Sequence, residues 1–356
     1  METLVIGAGP AGLAAAACLR KRGLPFALVD RAIAVGSSWR RHYDRLHLHT
    51  DRKHSALPYL AFPSGSQRYP SREQVIAYLE EYVRRFDLVP RFSEEVQTIR
   101  PANGRWITTT TSGVYDSRQV VVATGYNDLP HVPRWPGQER FTGRIIHSSE
   151  YRNGRPFRGQ RVLVVGFGNS GGEIAIDLHE HGARVAIAVR NAVNIIPRDI
   201  LGLPVVAVGI ALSRLPSRFT DAMTAPLLKL TVGDITRLGF RKLPFGPVTQ
   251  IKTKAQIPLI DIGTVKLIRQ GNAEVVGDVR EISETAVTFD DAKSQHFDSI
   301  ILATGFRRGS DRFFDRSNEA QTRPGLYFCG FRVSPTGMLR EIGLEAQRIA
   351  AEIARR

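Results

Sequence analysis

One short pattern occurs twice in this chain, 159 residues apart, and it restricts the fold more than any other feature. In both copies a run of aliphatic residues enters a G-x-G-x-x-G turn, and a helix-forming segment follows. The glycines are Gly7, Gly9 and Gly12 in the first copy and Gly166, Gly168 and Gly171 in the second. A strand that enters such a turn and opens a helix brings a pyrophosphate to the helix N-terminus. Two correctly flanked copies therefore predict two dinucleotide-binding units.

The residue that follows the second strand of each unit predicts which nucleotide the unit prefers. Asp30 lies 23 positions after Gly7, where a carboxylate accepts hydrogen bonds from ribose hydroxyls. The equivalent position in the second unit is Val189, followed by Arg190, and a guanidinium suits a 2′-phosphate. We therefore expect the first unit to hold an adenosine without a 2′-phosphate and the second to prefer NADPH to NADH. The alternative for Arg190 is that it is one more surface arginine.

Each unit also ends with an apolar strand and the same tripeptide, Ala123-Thr124-Gly125 and Ala303-Thr304-Gly305. These positions are predicted to turn away at the edge of a cofactor, where only small residues fit. The economical architecture is an α/β fold with two Rossmann-like dinucleotide-binding domains, the second inserted into the first. The predicted outer domain covers residues 1–158 and 297–356, and the predicted inner domain covers residues 159–296.

Two further helices are predicted in the outer domain. Residues 71–74 form a capping box, which predicts a helix start at that point. The apolar residues that then fall on one face are assigned to the core: Val75, Leu79, Tyr82, Val83 and Phe86. The chain is predicted to close the outer domain with a last helix over residues 339–354.

The charge of the chain is its other unusual feature. It has 49 basic residues against 34 acidic ones, a formal net charge of +15. Such an excess suits nucleic acid, an acidic membrane surface or anionic small molecules. Arginines make up 41 of the basic residues and are scattered, and no helix-turn-helix, zinc-finger or RNP pattern accompanies them. We therefore interpret most of them as solvated surface and expect no nucleic-acid partner.

Cysteine usage and hydropathy restrict the remaining classes. Cys18 and Cys329 form no C-x-x-C pair, so a zinc ribbon, dithiol redox chemistry and a metal site are not expected. No stretch approaches the roughly 20 apolar residues that span a bilayer. The N-terminus runs directly into a strand and has no basic region of a signal peptide. We expect a reduced, cytoplasmic protein without a membrane span, and a homodimer stays an open alternative.

The segment between the two units carries a family signature. Its sequence Phe141-Thr-Gly-Arg-Ile-Ile-His147-Ser-Ser-Glu-Tyr151 resembles the F-x-G-x-x-x-H-x-x-x-[YFW] fingerprint of the class B flavin-dependent monooxygenases. The ending in Tyr151 resembles the flavin-containing monooxygenase group more than the Baeyer–Villiger group. Most of the chain is similar to the plant YUCCA family, the indole-3-pyruvate monooxygenases of auxin synthesis. The chain resembles a shorter, bacterial-type relative of that family.

The resemblance implies that FAD binds in the first unit and NADPH in the inserted second unit. The FAD contacts that it implies are Gly7, Gly9, Pro10, Ala11, Gly12, Asp30, Arg31, Trp39, Arg40, Thr50, Val96, Ala123, Thr124, Gly125 and Gly330. The NADPH contacts that it implies are Gly166, Gly168, Asn169, Ser170, Gly171 and Arg190, with Ala303, Thr304 and Gly305 at the cofactor edge. His147 belongs to the fingerprint that links the domains, and we interpret it as structural or gating rather than as an acid or base.

The resemblance implies that the flavin carries the chemistry, so no catalytic side chain is assigned with certainty. The candidates are His49, Asn169 and Arg340. His49 stands where many flavin-containing monooxygenases have an asparagine and YUCCA proteins have a histidine. The region from Gly330 to Arg340 matches the family only loosely, so substrate identity is the least constrained inference.

The implied activity is insertion of one oxygen atom into a small organic substrate by way of a flavin C4a-(hydro)peroxide, with molecular oxygen as co-substrate. The YUCCA-like pattern favours oxidative decarboxylation of a 2-oxo acid such as indole-3-pyruvate, whose carboxylate Arg40 or Arg340 would hold. The alternatives are N- or S-oxygenation and Baeyer–Villiger oxidation. A further alternative is an NADPH-dependent flavin reductase or oxidase that inserts no oxygen.

Overall fold

The computed structural model of the protein describes residues 1–314 and 323–356. The helices of these residues are α1 Pro10–Lys21, α2 Ser37–Arg40, α3 Arg72–Arg85, α4 Asn169–Glu180, α5 Val205–Ala211, α6 Ser217–Thr231, α7 Pro247–Lys254, α8 Thr264–Arg269 and α9 Met338–Ile353. The strands are β1 Thr3–Ile6, β2 Phe26–Val29, β3 Pro90–Arg91, β4 Val96–Ala102, β5 Arg105–Thr110, β6 Gly113–Ser117, β7 Gln119–Val122, β8 Leu129–Pro130, β9 Arg144–His147, β10 Arg161–Val165, β11 Arg184–Ala188, β12 Ile195–Pro197, β13 Asp199–Ile200, β14 Leu203–Pro204, β15 Leu259–Asp261, β16 Ala273–Val276, β17 Val279–Ile282, β18 Ala286–Phe289, β19 Ser294–His296, β20 Ser299–Leu302, β21 Phe306–Arg307 and β22 Leu326–Phe328.

The first glycine turn belongs to a five-stranded parallel sheet with the strand order β22-β7-β1-β2-β3. β1 lies at the centre and is buried along its whole length, because a parallel sheet is covered on both faces. Val5 points to the side packed by α1, α3 and α9. Leu4 and Ile6 point to the side packed by the antiparallel sheet β4-β5-β6. Each such buried aliphatic side chain contributes about 1.5–3 kcal/mol to stability.

The second glycine turn belongs to a sheet of the same design, with the strand order β16-β11-β10-β20-β9 and all pairs parallel. Val162 and Val164 of β10 pack towards α4 and α8. Leu163 and Val165 pack against the antiparallel sheet β17-β18-β19. The repeat in the sequence is therefore a repeat of sheet order and of both covering layers, which confirms the predicted α/β fold with two Rossmann-like units.

Two strands lie in a different unit from the one that the predicted boundaries give them. β9 and β20 were assigned to the outer segments 1–158 and 297–356, yet both pair within the second sheet. The physical reason is that β20 is the counterpart of β7. It flanks the glycine-turn strand and is followed by Ala303, whose carbonyl lies against Gly166. The chain crosses between the units near β8 and β21, which pair with each other in antiparallel fashion.

The two helices predicted from local signals are present. α3 begins after Ser71, whose hydroxyl accepts from the Gln74 N–H while the Gln74 side chain accepts from the Ser71 N–H, a complete capping box. α9 covers the predicted last helix and packs on α1. Among the described residues, no helix is both long and apolar enough to cross a membrane.

Candidate functional site

The first and third glycines of each turn are required by the backbone. Gly7 has a φ of +108°, and a Cβ there would lie 2.6 Å from the Ala123 carbonyl oxygen. A Cβ on Gly12 would lie 1.7 Å from the Gly7 carbonyl oxygen. The second turn repeats the arrangement, with a φ of +111° at Gly166 and a Cβ position 2.5 Å from the Ala303 carbonyl oxygen. These contacts explain why only glycine and alanine fit where the strands meet.

The middle glycines, Gly9 and Gly168, face open space. No heavy atom lies within 4 Å of the position that a Cβ would take on either of them. They are the N-cap residues of α1 and α4, and neither helix has a side-chain cap. The free backbone N–H groups and the positive end of each helix dipole therefore point into a space without a side chain, which fits a pyrophosphate at both turns.

The first turn opens onto a cavity of about 690 Å³. The residues of the predicted FAD set that line it are Gly7, Gly9, Pro10, Ala11, Asp30, Arg31, Trp39, Thr50, Val96, Ala123, Thr124, Gly125 and Gly330. Gly12 lies behind the turn, so its role is packing rather than contact. The hydroxyl of Thr124 is buried and has no hydrogen-bond partner, which leaves a polar group at the cavity wall for a ligand.

Acidic and basic side chains surround the Asp30 end of the cavity. The Asp30 carboxylate accepts hydrogen bonds from the backbone N–H of Ala32 at 2.7 Å and from that of Ala8. Arg31 pairs with Asp128, and these side chains line the same cavity. Arg312, a residue that sequence reasoning missed, also lines the cavity. Asp30 thus lies where the ribose was predicted, between the end of β2 and the glycine turn.

Arg40 is outside the cavity lining, so its predicted contact with FAD stays a prediction. Its guanidinium pairs with Glu80 of α3, and its Nε donates to the Val35 carbonyl at 3.1 Å. The side chain is therefore directed away from the glycine turn. The next two residues, Arg41 and His42, line the cavity in its place.

Arg340 also lies outside the cavity lining, and its role as a catalytic candidate stays a prediction. Its guanidinium donates to Glu341 at 3.0 Å and to the hydroxyl of Thr336 at 3.3 Å on its own side of α9. The neighbours that line the cavity here are Met338 and Leu339. Neither Arg40 nor Arg340 is therefore placed to hold a substrate carboxylate.

The other end of the cavity is an apolar chamber formed by the second unit. Its lining comes from β12, β13, α5, α6, α7 and the segment before β15. The residues are Ile196, Ile200, Val205, Val206, Val208, Gly209, Leu212, Thr220, Thr224, Leu228, Pro247, Val248, Ile251, Ala255, Gln256, Ile257 and Ile260. None of these described residues is charged, so this end suits the apolar body of an organic molecule. Sequence reasoning missed the chamber, because its short elements lack a distinctive pattern.

The predicted NADPH residues lie around the second turn and mostly outside this cavity. Among them, Asn169 reaches the cavity wall, and its Oδ1 accepts from the Ile260 N–H at 2.8 Å. This bond ties the start of α4 to β15. Arg190 follows β11 and is exposed, and its carbonyl accepts from the guanidinium of Arg241. Two arginines therefore lie at the end of the unit where the 2′-phosphate is predicted.

His147 is buried and held at both ring nitrogens. Nε2 lies 3.0 Å from the Gly305 carbonyl, and Nδ1 lies 3.1 Å from the backbone N of Ser149. A ring that donates from Nε2 and accepts at Nδ1 is neutral. Burial lowers the pKa of His147 below its ordinary value, and the Gly305 carbonyl only partly opposes this. This geometry supports the structural interpretation of the fingerprint histidine.

Glu173 is a buried acid that sequence reasoning missed. Its side chain is 1% exposed on α4, and its Oε1 lies 2.8 Å from Nε2 of His49. His49 lines the cavity beside Thr50, as the prediction of a catalytic candidate requires. A signal was available, because an acid between Gly172 and Ile174 falls on the buried side of a helix.

Comparison with known proteins places this architecture. The sequence profile of the pyridine nucleotide-disulphide oxidoreductase family matches residues 4–198, more than half of the chain. The structure of a flavin-containing monooxygenase from Stenotrophomonas maltophilia aligns with a TM-score of 0.75 and 21% identity over 99% of this chain and 98% of that one. An open crystal structure of cyclohexanone monooxygenase aligns with a TM-score of 0.79 and 19% identity over 99% and 87%. Identities this low show the shared fold.

Plant relatives are more similar in sequence. The indole-3-pyruvate monooxygenase YUCCA1 of Oryza sativa subsp. japonica is 40% identical over 328 residues, which cover 91% of this chain and 81% of the relative. The chain belongs to the YUCCA family of flavin-dependent monooxygenases. Indole-3-pyruvate monooxygenase YUCCA6 of Arabidopsis thaliana is 36% identical over 353 residues, which cover 96% and 84%. This YUCCA-family member is an oxidoreductase with FAD and NADPH as cofactors and oxygen and a small molecule as substrates.

Proposed function

We propose that this enzyme catalyses the oxidative decarboxylation of a 2-oxo acid of the indole-3-pyruvate type. The observation that carries the proposal is that one cavity joins the cradle in front of Gly9 to the uncharged chamber of the second unit. The relatives named above are indole-3-pyruvate monooxygenases. An indole ring is a large apolar body, and its transfer from water into an aliphatic chamber is favourable.

The roles of the chain's own residues follow from this arrangement. FAD, once reduced by NADPH, supplies the oxygen chemistry. The N-terminus of α1 would hold the FAD pyrophosphate, and Asp30 the ribose. Arg190 would hold the 2′-phosphate of NADPH. The walls formed by α5, α6 and α7 would exclude water from the place where substrate and cofactor meet.

Recognition of the substrate carboxylate falls to polar groups of the cavity rather than to Arg40 or Arg340. His49 and Asn169 line the cavity from opposite units. The Asn169 carbonyl is occupied by the Ile260 N–H, so its amide nitrogen is the end left to donate. We propose that the amide nitrogen of Asn169 donates to the 2-oxo acid end while the ring lies in the chamber.

We also propose a revised division into domains. The FAD-binding part would run to the end of β7 and resume before β22, and the NADPH-binding part would include β9 and β20. The sheet order supports this division, because hydrogen bonds join β20 to β10 and β9 to β20. Both cysteines are free thiols, which supports the expectation of a reducing compartment such as the cytoplasm.

The test is a turnover assay with indole-3-pyruvate, NADPH and isotopically labelled oxygen, read by mass spectrometry. The expected product is the acid shortened by one carbon with one labelled oxygen atom, together with carbon dioxide. NADPH consumption with stoichiometric hydrogen peroxide and no labelled product would instead show a flavin oxidase. Labelled product from sulfides, amines or cyclic ketones but from no 2-oxo acid would show one of the other oxygenations.

Two adjacent residues of α6 give a matched pair of variants for the chamber. Thr224 lines the chamber, whereas Met223 points outwards and is 53% exposed. Thr224→Trp should fill the chamber and abolish product formation while FAD stays bound. Met223→Trp should keep wild-type turnover. Equal turnover in the two variants would place the substrate elsewhere.

A further inference from the structure

The carboxylate of Glu173 is enclosed by protein, and the polar side chains around it show which group it can interact with. Its Oε1 lies 2.8 Å from Nε2 of His49, within ion-pair distance. Among the described residues, neither carboxylate oxygen accepts a hydrogen bond of ordinary geometry. A buried ionised carboxylate is costly unless a donor faces it. His49 is the donor that the fold brings to it.

The other polar neighbour of Glu173 is Tyr43. Burial, and after it the negative charge of Glu173, hold the pKa of the Tyr43 phenol well above its usual value. Tyr43 is therefore a neutral group. The imidazole of His49, at 2.8 Å, is the group in ion-pair contact with the Glu173 carboxylate.

The second ring nitrogen of His49 determines which form of the ring fits. Nδ1 is buried and has no hydrogen-bond partner. A charged imidazolium would bury an unpaired N–H at this atom, whereas a neutral ring with its hydrogen on Nε2 leaves only a lone pair there. The enclosure therefore selects the neutral ring that donates from Nε2 to Glu173.

We infer that Glu173 is a positioning residue: its buried carboxylate orients the His49 imidazole across the boundary between the two units and fixes its hydrogen on Nε2. This orientation of the ring holds whichever substrate the enzyme takes.

The position of Glu173 on α4 connects the Glu173–His49 pair to the second nucleotide site. The same helix has the open cradle of the second unit at its N-terminus and Glu173 just over one turn further on. The His49 side chain, which Glu173 orients, belongs to the first unit. A displacement of α4 would therefore move the imidazole in the cavity wall, so the second nucleotide site and His49 are mechanically connected.

Nitrogen NMR of the full-length chain labelled with ¹⁵N-histidine tests the inference directly, because long-range ¹H–¹⁵N correlations distinguish the two neutral tautomers. His49→Asn assigns the signals. We expect the Nε2–H form in the wild type and in Glu173→Gln, whose amide oxygen still accepts. We expect a mixture of tautomers in Glu173→Leu. The control is Glu180→Leu, an exposed acid at the end of the same helix, which should leave the His49 signals unchanged. Identical His49 spectra for Glu173→Leu and the wild type would overturn the inference.

A double-mutant cycle guards against poor folding of Glu173→Leu. The midpoints of denaturant unfolding are compared for Glu173→Ala, His49→Ala and the double variant, because alanine can neither donate nor accept at either position. A non-additive shift supports the pair, and strictly additive shifts contradict it. Neither measurement uses substrate. A chain that oxygenates no 2-oxo acid can therefore still confirm the pair, and an active chain can still refute it.

Discussion

Single residues just after the second strand of each unit carry charges of opposite sign. β2 is followed by Asp30, whereas β11 is followed by Val189 and the exposed Arg190. The Arg241 guanidinium binds the Arg190 carbonyl and adds a second positive charge at this point. A carboxylate after β2 and a guanidinium after β11 distinguish two nucleotides that share most of their structure.

Arg190→Ala should therefore reduce the preference for NADPH over NADH. A charge-assisted hydrogen bond contributes about 1.5–3 kcal/mol, so the ratio of kcat/KM values should fall by about tenfold to a hundredfold. Arg184→Ala is the matched control, because Arg184 is an exposed arginine at the other end of β11. Steady-state kinetics with both nucleotides measures the effect. An unchanged ratio in Arg190→Ala would remove this residue from the site.

The helices that follow the glycine turns are the elements on which both cofactor sites depend. α1 and α4 are each 12 residues long, and both begin at a glycine whose open side faces a ligand space. The three glycines of the first turn have different roles. Gly7 and Gly12 are required because backbone atoms approach them closely, whereas Gly9 leaves space for a ligand.

Gly9→Val should therefore fold but lose FAD, because its side chain would enter open space in front of α1. We expect at least about tenfold weaker binding, equivalent to about 1.4 kcal/mol, measured as flavin absorbance per chain after dialysis. Gly168→Val should retain FAD and raise the KM for NADPH instead. Gly12→Ala should destabilise the fold by about 1–3 kcal/mol through overpacking. Normal FAD content in Gly9→Val would contradict the cradle.

Elements with local signals could be predicted, and elements defined by distant contacts could not. The glycine turns, the capping box at Ser71 and the last helix are written in neighbouring residues. The chamber is not, because α5, α6 and α7 acquire their role from packing around one cavity. The position of the Arg40 side chain could not be predicted for the same reason, because its ion-pair partner, Glu80, lies on a different helix. The predicted boundary puts β20 in the outer domain, because strand pairing depends on residues that are distant in the sequence. The pairing of β7 with β1 is the matching arrangement in the first unit.

At the scale of the whole molecule, the excess of positive charge mostly lies away from the chemistry. The arginines that line the cavity are Arg31, Arg41 and Arg312. Many others are in surface ion pairs, such as Arg84 with Glu81, and such pairs contribute only about 0–1 kcal/mol each. The charge therefore tells little about what the enzyme binds, and stability against acid depends on a few buried groups instead.

Two imidazoles, the buried His147 and the half-buried His42, should make the whole fold sensitive to acid. Burial lowers the pKa of His147 and of His42, and neighbouring arginines lower that of His42 further. Both folded values then lie below the unfolded value of 6.5. The unfolded chain binds more protons in between, so stability is complete above about pH 6.5 and is lost as the pH falls through the folded values.

Denaturant unfolding between pH 7 and pH 5 checks this expectation. The free energy of unfolding should fall over this range in the wild type and fall less in His147→Gln. His296→Gln is the control, because His296 is exposed. A pH dependence equal in all three proteins would mean that other groups control the acid response.

The short ribbon of β8 and β21 connects the two units in a particular way. Phe306 pairs with Pro130 and Arg307 with Leu129, so the outgoing and the returning chain are bound to each other where they cross. The ribbon is one of several connections, because Tyr69 of the first unit donates to Asp199 of the second and Arg45 pairs with Glu180. The two walls of the shared cavity are therefore held together both where the chain crosses and by side chains far from that crossing.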